Sequence, residues 1–278
     1  MKKVLIIGGA GYIGSVLIKR LIDKNIEVSN LDKLLFDNNF AIENYKNKKN
    51  YSFFYGDICN KKDLETSLKN ITDVVILAAI VGDPLSKKYP NETNQINEKG
   101  LINCLNFLNN KGIDKVLFIS TCSNYGIIKN NEIADENHKL NPISNYAKSK
   151  VNIENFILSK KGEFDFSPVI LRFSTAFGIS PRMRFDLTIN EFTLELFNGR
   201  ELEVYQPNTW RPYCHVNDFS EIISKILNSN SKKVAFEVFN VGSDENNYTK
   251  EMIVNVIKKF IPNSKVKIVS KPDDRRNY

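Results

Sequence analysis

The chain has 278 residues, 42% of them hydrophobic and 26% charged, which is ordinary for a globular protein long enough to bury a large core. Lys and Arg (39) outnumber Asp and Glu (32), so the net charge is +7, but the basic residues are spread along the chain and form no block with interleaved aromatic residues. This distribution argues against nucleic acid as a partner and is compatible with a small anionic ligand.

Membrane insertion, secretion and metal binding have no support in the sequence. No apolar stretch reaches the length of a membrane-spanning helix, and the run after Met1 stops at Gly8, which is too short for a signal peptide. The four cysteines lack CxxC spacing, and the chain has only two histidines. We therefore expect a cytoplasmic protein with free thiols, no metal site and no membrane contact.

The first strand and helix are joined by a glycine-rich turn. Lys3–Ile7 predicts a buried parallel strand, Ser15–Asp23 has helical periodicity, and GGAGYIG lies between them at 8–14. The spacing is that of a dinucleotide-binding turn, in which glycines permit a tight turn, the approach of a pyrophosphate and close helix–strand packing. The candidate cofactor residues of this turn are Gly8, Gly11, Tyr12, Ile13 and Gly14.

An acidic residue follows the second predicted strand. Glu27–Leu31 leads directly into Asp32, eighteen residues after Gly14. A carboxylate at this place can accept both hydroxyls of an adenosine ribose and repels a 2′-phosphate, which favours NAD over NADP. Lys33 comes next and leaves NADP open, so both residues are candidates for contact with the cofactor.

Strands and helices continue to alternate up to about residue 175. Further strands are predicted at Tyr51–Tyr55, Asp73–Leu77, Lys115–Ile119 and Ser167–Leu171, with helices over Asn91–Asn110 and around Tyr146. This order predicts an α/β fold with a Rossmann-type, doubly wound parallel sheet in residues 1–175. Residues 176–278 are expected to form a smaller C-terminal α/β domain for substrate, with helices at Phe185–Asn198, before Asn228 and at Thr249–Phe260, and strands at Leu202–Tyr205, Glu237–Asn240 and Lys265–Val269.

The chemistry is expected in the segment NPISNYAKSK, at 141–150. On a helix, Tyr146 and Lys150 lie one turn apart on the same face. An ammonium beside a phenol favours the phenolate, which lowers the tyrosine pKa and creates a general base for an alcohol proton. Alone, this spacing is common in helices, so its meaning depends on the rest of the chain.

Several motifs together resemble the extended short-chain dehydrogenase/reductases, in particular the NAD-dependent epimerase/dehydratase group that acts on nucleotide sugars. A narrower resemblance, to bacterial GDP-heptose 4-dehydrogenases, rests on SPRMRFDL at 180–187 and DDRRNY at 273–278. The broader motifs cover nearly the whole chain and are GGAGYIG at 8–14, GDI at 56–58, STCSNYG at 120–126, NYAKSK at 145–150, LRFSTAFG at 171–178 and WRPYCHVND at 210–218.

The resemblance implies roles for individual residues. Tyr146 would be the base and also a cofactor contact, Lys150 would hold the nicotinamide ribose, and Thr121 would share the hydrogen bond to the reacting hydroxyl. Asn97 would support the lysine or the cofactor region. The remaining cofactor candidates are Asp57, Ile58, Leu77, Ala78, Ala79, Ser120, Phe173 and Ser174, and the substrate candidates are Cys122, Ser123, Thr175, Arg182, Arg184, Arg211 and Arg276, with Arg275 as an alternative to Arg276.

Arginines suit the diphosphate of a nucleotide sugar because a guanidinium binds phosphate oxygens in a bidentate manner. Arg211 is the strongest of these candidates. Arg182 and Arg184 are equally well explained as solvated surface charges. Thr175 replaces an Asn that contacts substrate in many members of the group, so the details of the substrate stay open.

Two departures from the resembled group bear on the reaction. The 4,6-dehydratases carry Asp-Glu after the active-site Thr, and this chain has Cys122-Ser123, which disfavours dehydration. Ser123 also stands where epimerases that abstract a carbon-bound proton carry Cys, and Cys122 is expected to line the pocket. Because members of the group usually continue for another strand and helix, we expect part of the substrate lid to lie beyond Tyr278.

The resulting hypothesis is reversible hydride transfer between C4 of a nucleotide-linked sugar and NAD. A 4-epimerase is favoured, and a 4-dehydrogenase or 4-ketoreductase of the GDP-heptose type is the alternative. A non-catalytic NAD(P)-sensing module and an oxidoreductase acting on a small alcohol remain as other classes. The resemblance also implies a homodimer formed by the helices near 93–111 and 143–161.

Overall fold

A seven-stranded parallel sheet forms the centre of the molecule. The computed structural model describes residues 2–128 and 132–269. The strands of the sheet lie in the spatial order β3-β2-β1-β4-β5-β6-β10, and every neighbouring pair is parallel. They are β1 (Lys3–Ile7), β2 (Glu27–Asp32), β3 (Tyr51–Tyr55), β4 (Asp73–Ile76), β5 (Lys115–Thr121), β6 (Ser167–Phe173) and β10 (Glu237–Val241).

Helices cover both faces of this sheet and continue into the C-terminal part. The α-helices of the described ranges are α1 (Tyr12–Asp23), α2 (Lys61–Ser67), α3 (Asp83–Lys88), α4 (Pro90–Asn94), α5 (Leu101–Leu108), α6 (Asn145–Ser159), α7 (Thr188–Phe197), α8 (Val216–Asn228), α9 (Ser231–Val234) and α10 (Lys250–Phe260). In addition, 3-10 helices occupy Asn38–Tyr45, Cys122–Tyr125 and Asp244–Asn246. The helix predicted over Asn91–Asn110 comprises α4, a π-helical turn at Gln95–Gly100, and α5.

Successive residues of each central strand point to opposite faces, so one apolar run serves two cores. On β1, Val4 and Ile6 pack with apolar residues of α1 and α8, whereas Leu5 and Ile7 pack with those of α5 and α6. These four residues of β1 are at most 1% exposed. The arrangement confirms the predicted Rossmann-type α/β fold.

The predicted domain boundary at residue 175 does not coincide with a boundary of the large sheet. Strand β10 pairs with β6 in register, for example Phe239 with Leu171, and so becomes the seventh strand. Helix α8 packs on α1, with Phe219 and Leu227 in the same apolar cluster as the α1 residues. The predicted domain 176–278 therefore includes elements that belong to the large sheet and its helices, because the chain returns to the sheet after leaving it.

The remaining C-terminal elements form two small sheets beside the large one. Three strands lie in the order β11-β9-β7 and two in the order β12-β8, and α7 and α10 share an apolar cluster with them. That these elements make up a substrate-binding unit stays a prediction. Their bounds are β7 (Thr175–Phe177), β8 (Leu202–Tyr205), β9 (Trp210–His215), β11 (Asn247–Thr249) and β12 (Val266–Val269). Within 2–128 and 132–269, no helix has both the length and the apolar character needed to span a bilayer.

Candidate active site

The strand order of the sheet reverses between β1 and β4, which are neighbours in space. Strands β2 and β3 lie on one side of this point, and β5 and β6 on the other. Open α/β sheets bind ligands at the carboxyl ends of the strands at such a reversal. Gly8 follows β1, Ala78 follows β4 and Thr121 ends β5, so these predicted site residues meet at that edge.

The glycine turn leaves a cradle that a side chain would fill. Gly8 has a φ of +90°, and a Cβ added there would lie 2.6 Å from the backbone nitrogen of Ala78. A Cβ on Gly14 would lie 2.6 Å from the Gly9 Cα and 2.7 Å from the Gly8 oxygen. At Gly11 the Cβ would lie 3.3 Å from the Gly8 oxygen, a tight contact that a small shift of the backbone would relieve. The N-terminus of α1 adds N–H groups without helical partners, and the cradle therefore fits a pyrophosphate.

Asp32 is held rigidly at the end of β2. Its carboxylate accepts the N–H of Ala10 at 2.9 Å and the N–H of Leu34 at 2.8 Å. Burial raises the pKa of Asp32, and these two backbone hydrogen bonds oppose that effect. The acid thus links the glycine turn to the strand that carries it, at the place predicted for the adenosine ribose.

Lys33 forms an ion pair with Asp57, another predicted cofactor residue. Its ammonium lies 2.8 Å from the carboxylate of Asp57, and a cavity of about 640 Å³ opens beside this ion pair. Since Asp57 competes for the lysine, Lys33 is less available to a 2′-phosphate than its position after Asp32 suggests. The cavity is lined by Lys33, Tyr55, Gly56, Asp57, Cys59, Asn60, Lys61 and Asp63.

The predicted catalytic residues gather at the end of β5. Helix α6 places half-buried Tyr146 one turn before Lys150. The Lys150 amine donates to the Ile119 carbonyl at 2.7 Å and lies 5.7 Å from the centre of the Tyr146 ring. Thr121 stands two residues after Ile119, is buried, and accepts the N–H of Ser123 at 3.1 Å. One edge of the sheet therefore presents a phenol, an ammonium and a hydroxyl.

Burial strongly affects the lysine of this group. Lys150 is 4% exposed, and burial lowers its pKa to about 7, although the negative charge of Glu154 partly opposes the shift. The lysine consequently titrates in the physiological range. In general, a charged amine close to a phenol favours the phenolate.

Asn97 supports the loop that follows β4. Its side chain accepts the N–H of Ile80 at 2.9 Å and donates to the carbonyl of the same residue at 3.0 Å. The side chain is buried on the π-helical turn and fixes the backbone next to Ala78 and Ala79. These contacts place Asn97 beside the predicted cofactor residues Ala78 and Ala79, and its role for the cofactor or for Lys150 stays a prediction.

A buried ionic network beneath the site was missed by the sequence analysis. Glu154 is fully buried, and both its oxygens bind the Arg172 guanidinium, at distances down to 2.7 Å. Its carboxylate also accepts hydrogen bonds from Ser120 and from the Asn124 amide. The phenol of Tyr125 accepts a hydrogen bond from Arg172 at 2.9 Å. The detectable signal was the spacing of Glu154, one further turn along α6 after Lys150.

Five residues predicted to contact cofactor or substrate have side chains that bond to, or pack against, other parts of the protein. Ser120 donates to Glu154, Ser174 donates to the Val241 carbonyl, and the Cys122 thiol donates to the Arg172 carbonyl at 3.3 Å. Phe173 stacks on Phe219 with ring centres 4.0 Å apart, and Ile58 is buried in the core that includes α5. Because burial raises the pKa of Cys122 to about 12, this thiol is unsuited to acid–base work.

The predicted substrate arginines differ in their environments. Arg211, on β9, is buried at 7% exposure, and Arg184 binds the Asp186 carboxylate at 3.0 Å. The guanidinium of half-buried Arg182 lies 5.2 Å from the centre of the Phe36 ring. Thr175 lies on β7, half-buried, and pairs with Tyr213 of β9. Arg275 and Arg276 lie outside the described residues.

The loop carrying two of these arginines is tied to the glycine turn. The Tyr12 phenol donates to the Gly178 carbonyl at 2.6 Å, and the Ser180 hydroxyl donates to the Tyr12 carbonyl at 2.7 Å. The Asn190 side chain accepts the Gly178 N–H at 3.0 Å and donates to the Arg184 carbonyl at 2.9 Å. The side chain of Tyr12 therefore connects the cofactor turn to the predicted substrate loop.

Comparison with known proteins identifies the family. Residues 4–242 match the model of the NAD dependent epimerase/dehydratase family. The chain belongs to this family. A putative UDP-glucose 4-epimerase of Methanocaldococcus jannaschii is 29% identical, and the alignment covers 99% of this chain and 88% of the relative. A dTDP-D-glucose 4,6-dehydratase of Mus musculus is also 29% identical, over 87% of this chain and 68% of the relative.

A solved structure gives the same result at the level of the fold. The UDP-glucose 4-epimerase of Thermus thermophilus, in complex with NAD, superposes with a TM-score of 0.83 at 25% identity, and the match covers 99% of this chain and 89% of that one. The expected family and cofactor are thus confirmed: the protein is an NAD-dependent enzyme. The glycine cradle and Asp32 are the residues that fit the pyrophosphate and the adenosine ribose of NAD.

Alanine substitution should separate the two functions of the glycine turn. At Gly14 the added Cβ collides with backbone of Gly8 and Gly9, so we expect a lower melting temperature and loss of NAD binding. At Gly11 the added Cβ meets only the Gly8 oxygen, at 3.3 Å, so we expect a smaller drop in melting temperature than at Gly14. Because the methyl group would stand in the turn predicted to hold the pyrophosphate, we expect NAD affinity to fall by about tenfold or more, or roughly 1.4 kcal/mol or more. Thermal unfolding and NAD titration measure both. Equal behaviour of the two variants would contradict these roles.

Proposed function

We propose that the protein is an NAD-dependent nucleotide-sugar 4-epimerase. The observation that carries the proposal is the grouping of Tyr146, Lys150 and Thr121 at the sheet edge that also bears the glycine cradle. A phenol tuned by an ammonium can remove the proton of an alcohol. When bound, NAD supplies the capacity to take up a hydride from the carbon being oxidised and to return it.

The chain's own residues act on the sugar hydroxyl. Tyr146, as phenolate, takes the proton from the C4 hydroxyl and gives it back when the ketone is reduced. Thr121 donates or accepts the second hydrogen bond at that oxygen, and Lys150 favours the phenolate and holds the nicotinamide ribose. Since proton and hydride are both returned, epimerisation leaves no net oxidation.

Arginines of the C-terminal part support a diphosphate-containing substrate. Arg211 is the foremost candidate because it is a buried cation on β9, and Arg182 stands at the loop tied to the glycine turn. A guanidinium can bind phosphate oxygens in a bidentate manner. We infer contact with the diphosphate for Arg211 and, less directly, for Arg182, while Arg184 would first have to leave Asp186.

Dehydration is disfavoured by the residues that follow Thr121. Cys122 is buried with its thiol on a carbonyl, and Ser123 supplies no carboxyl group to protonate a leaving hydroxyl. The alternative is a 4-dehydrogenase or 4-ketoreductase of the GDP-heptose type, in which the ketone is released or supplied from outside. SPRMRFDL at 180–187 favours that alternative.

The test is incubation of the purified protein with NAD and a panel of UDP-, GDP- and dTDP-sugars. NADH absorbance and the identity of the sugar are followed together, with a Tyr146→Phe preparation as the control. A changed sugar at C4 without accumulating NADH is the expected result. Accumulation of NADH with a keto-sugar would replace the epimerase by the dehydrogenase. Equal behaviour of the wild type and the control would overturn both.

Assembly and location belong to the same proposal. We propose a homodimer in which α5 and α6 of two subunits form a four-helix bundle, as the resemblance implies. We also propose a cytoplasmic location, in keeping with four free cysteines. Light scattering of the purified protein measures the first of these.

A further inference from the structure

We propose that Glu154 is a positioning residue of the active site: its carboxylate keeps Lys150 in the charged form and so sets the pH range in which Tyr146 serves as the base. The inference rests on the proposed function for the role of Tyr146. It concerns a residue that touches neither the reacting atoms nor the cofactor in this arrangement. Its basis is the geometry of the buried network and the place of Lys150 beside it.

Glu154 and Lys150 approach the same end of β5 from the same helix. They lie one turn apart on α6, and both are buried. The Lys150 amine donates to the carbonyl of Ile119, while Glu154 accepts the hydroxyl of the next residue, Ser120. In a buried site such a negative charge interacts strongly with a nearby ammonium, because little water screens it.

Other groups around Lys150 do not supply this negative charge. The Phe118 ring lies 4.7 Å and the Tyr146 ring 5.7 Å from its nitrogen. Among the titratable groups of neighbouring elements, Arg172 is a cation, Tyr125 bonds to it, and burial keeps Cys122 a neutral thiol. Glu136 reaches this region as well, but its carboxylate accepts the N–H of Asn240 at 2.7 Å, on the far side of Arg172.

Arg172 forms a direct ion pair with the Glu154 carboxylate. Its guanidinium binds one carboxylate oxygen at 3.1 and 2.7 Å and the other at 3.2 Å. Charge-assisted bonds of this kind favour the carboxylate over the carboxylic acid. The order of influence therefore runs from Arg172 to Glu154, then to Lys150 and finally to Tyr146.

The sign of the effect follows from the charges. Burial already lowers the pKa of Lys150 to about 7, and Glu154 opposes that shift. Without the carboxylate the lysine would lose its proton at a lower pH. A neutral amine no longer favours the phenolate, so the pKa of Tyr146 would rise and the base would form only at higher pH.

The decisive experiment is a titration of the Tyr146 phenolate in the NAD-loaded protein. Near-ultraviolet absorbance is followed against pH, and the curve of the same protein with Tyr146→Phe is subtracted. In Glu154→Gln we expect the midpoint to rise by about one unit or more, the usual size of an effect from a close charge. The rate against the panel sugars should show the same displacement, a loss of about fivefold at the wild-type midpoint and about tenfold well below it.

Controls separate this role from simple stabilisation. Tyr125→Phe removes a hydroxyl from the same network without a change of charge, and should lower the melting temperature while leaving the midpoint in place. If Glu154→Gln is too unstable to purify, the pair Glu154→Gln with Arg172→Met avoids an unpaired buried charge. In this double variant the midpoint of the Tyr146 titration should rise by less, because the positive charge of Arg172 has been removed as well.

The outcomes are distinguishable from failure of the proposed function. The titration needs no sugar, so it is informative even if no nucleotide sugar is converted. A folded Glu154→Gln protein, or the double variant, that titrates as the wild type does would overturn the role of Glu154. A wild-type Tyr146 that titrates near 10, about the ordinary value for tyrosine, would instead remove the tuned base from the proposed function.

Discussion

Tyr146→Phe should reduce nucleotide-sugar turnover by about 10²–10⁴-fold, the usual contribution of a positioned acid–base group. The variant loses only the phenolic oxygen and keeps the ring beside Lys150, so the fold and the glycine turn should be unaffected. Turnover of the sugar and NAD affinity are measured in parallel. NAD affinity is expected to stay within about twofold of the wild type, or roughly 0.4 kcal/mol, because the glycine turn, Asp32 and Lys150 are unchanged.

A matched control exists on the same sheet edge. Thr121→Val removes the second hydroxyl and should reduce turnover less than Tyr146→Phe does. The reason is that Thr121 shares the hydrogen bond to the substrate but does not itself take up the proton. A Tyr146→Phe protein that retained full turnover, or full biological activity together with NAD binding, would reject the base. It would revive the non-catalytic NAD(P)-sensing module as the better hypothesis.

The cofactor half of the site was accessible from sequence because each feature is local. A strand, three glycines, a helix and Asp32 lie within 32 consecutive residues, and short-range spacing determines how they meet. The structure places Asp32 on the glycine turn through the N–H of Ala10, as such a spacing requires. Tyr146 and Lys150 were accessible for the same reason, since both belong to one helix.

Contacts between distant segments were not accessible. The strand Glu237–Val241 has only five residues, and its pairing partner, β6, lies more than sixty residues earlier. Nothing in either segment specifies that pairing. The directions of the Phe173 and Ser174 side chains depend on Phe219 and Val241, which the fold brings in from the same late part of the chain. Sequence patterns therefore place candidate residues on strand ends but do not determine the direction of their side chains.

Two buried ion pairs mark opposite edges of the sheet and have different consequences. Arg172 and Glu154 lie beneath the candidate site at its carboxyl edge. Lys115 and Asp73 lie at the amino ends of β5 and β4, at most 2% exposed and 3.5 Å apart. Both should matter for stability, but only the first adjoins Lys150 and can influence the chemistry.

Arg172→Met should accordingly lower the free energy of unfolding by about 3–5 kcal/mol, because it leaves the Glu154 carboxylate buried without its guanidinium. Urea unfolding measures the loss. Combining it with Glu154→Gln should recover most of it, since the remaining amide can still accept from Ser120 and Asn124. A double variant as unstable as Arg172→Met would show that the cost comes from lost packing and not from the stranded charge.

Lys115→Met is the comparison that separates stability from catalysis. It removes a buried cation from Asp73, but Lys2 remains 3.6 Å from that carboxylate, so the loss should be smaller than at Arg172. Because Lys115 lies at the opposite edge from Tyr146, the pH dependence of turnover should not change. If the pH dependence of turnover did shift in Lys115→Met, a loss of stability alone would be enough to displace it. The proposal that the Arg172–Glu154 pair acts specifically on the chemistry would then be rejected.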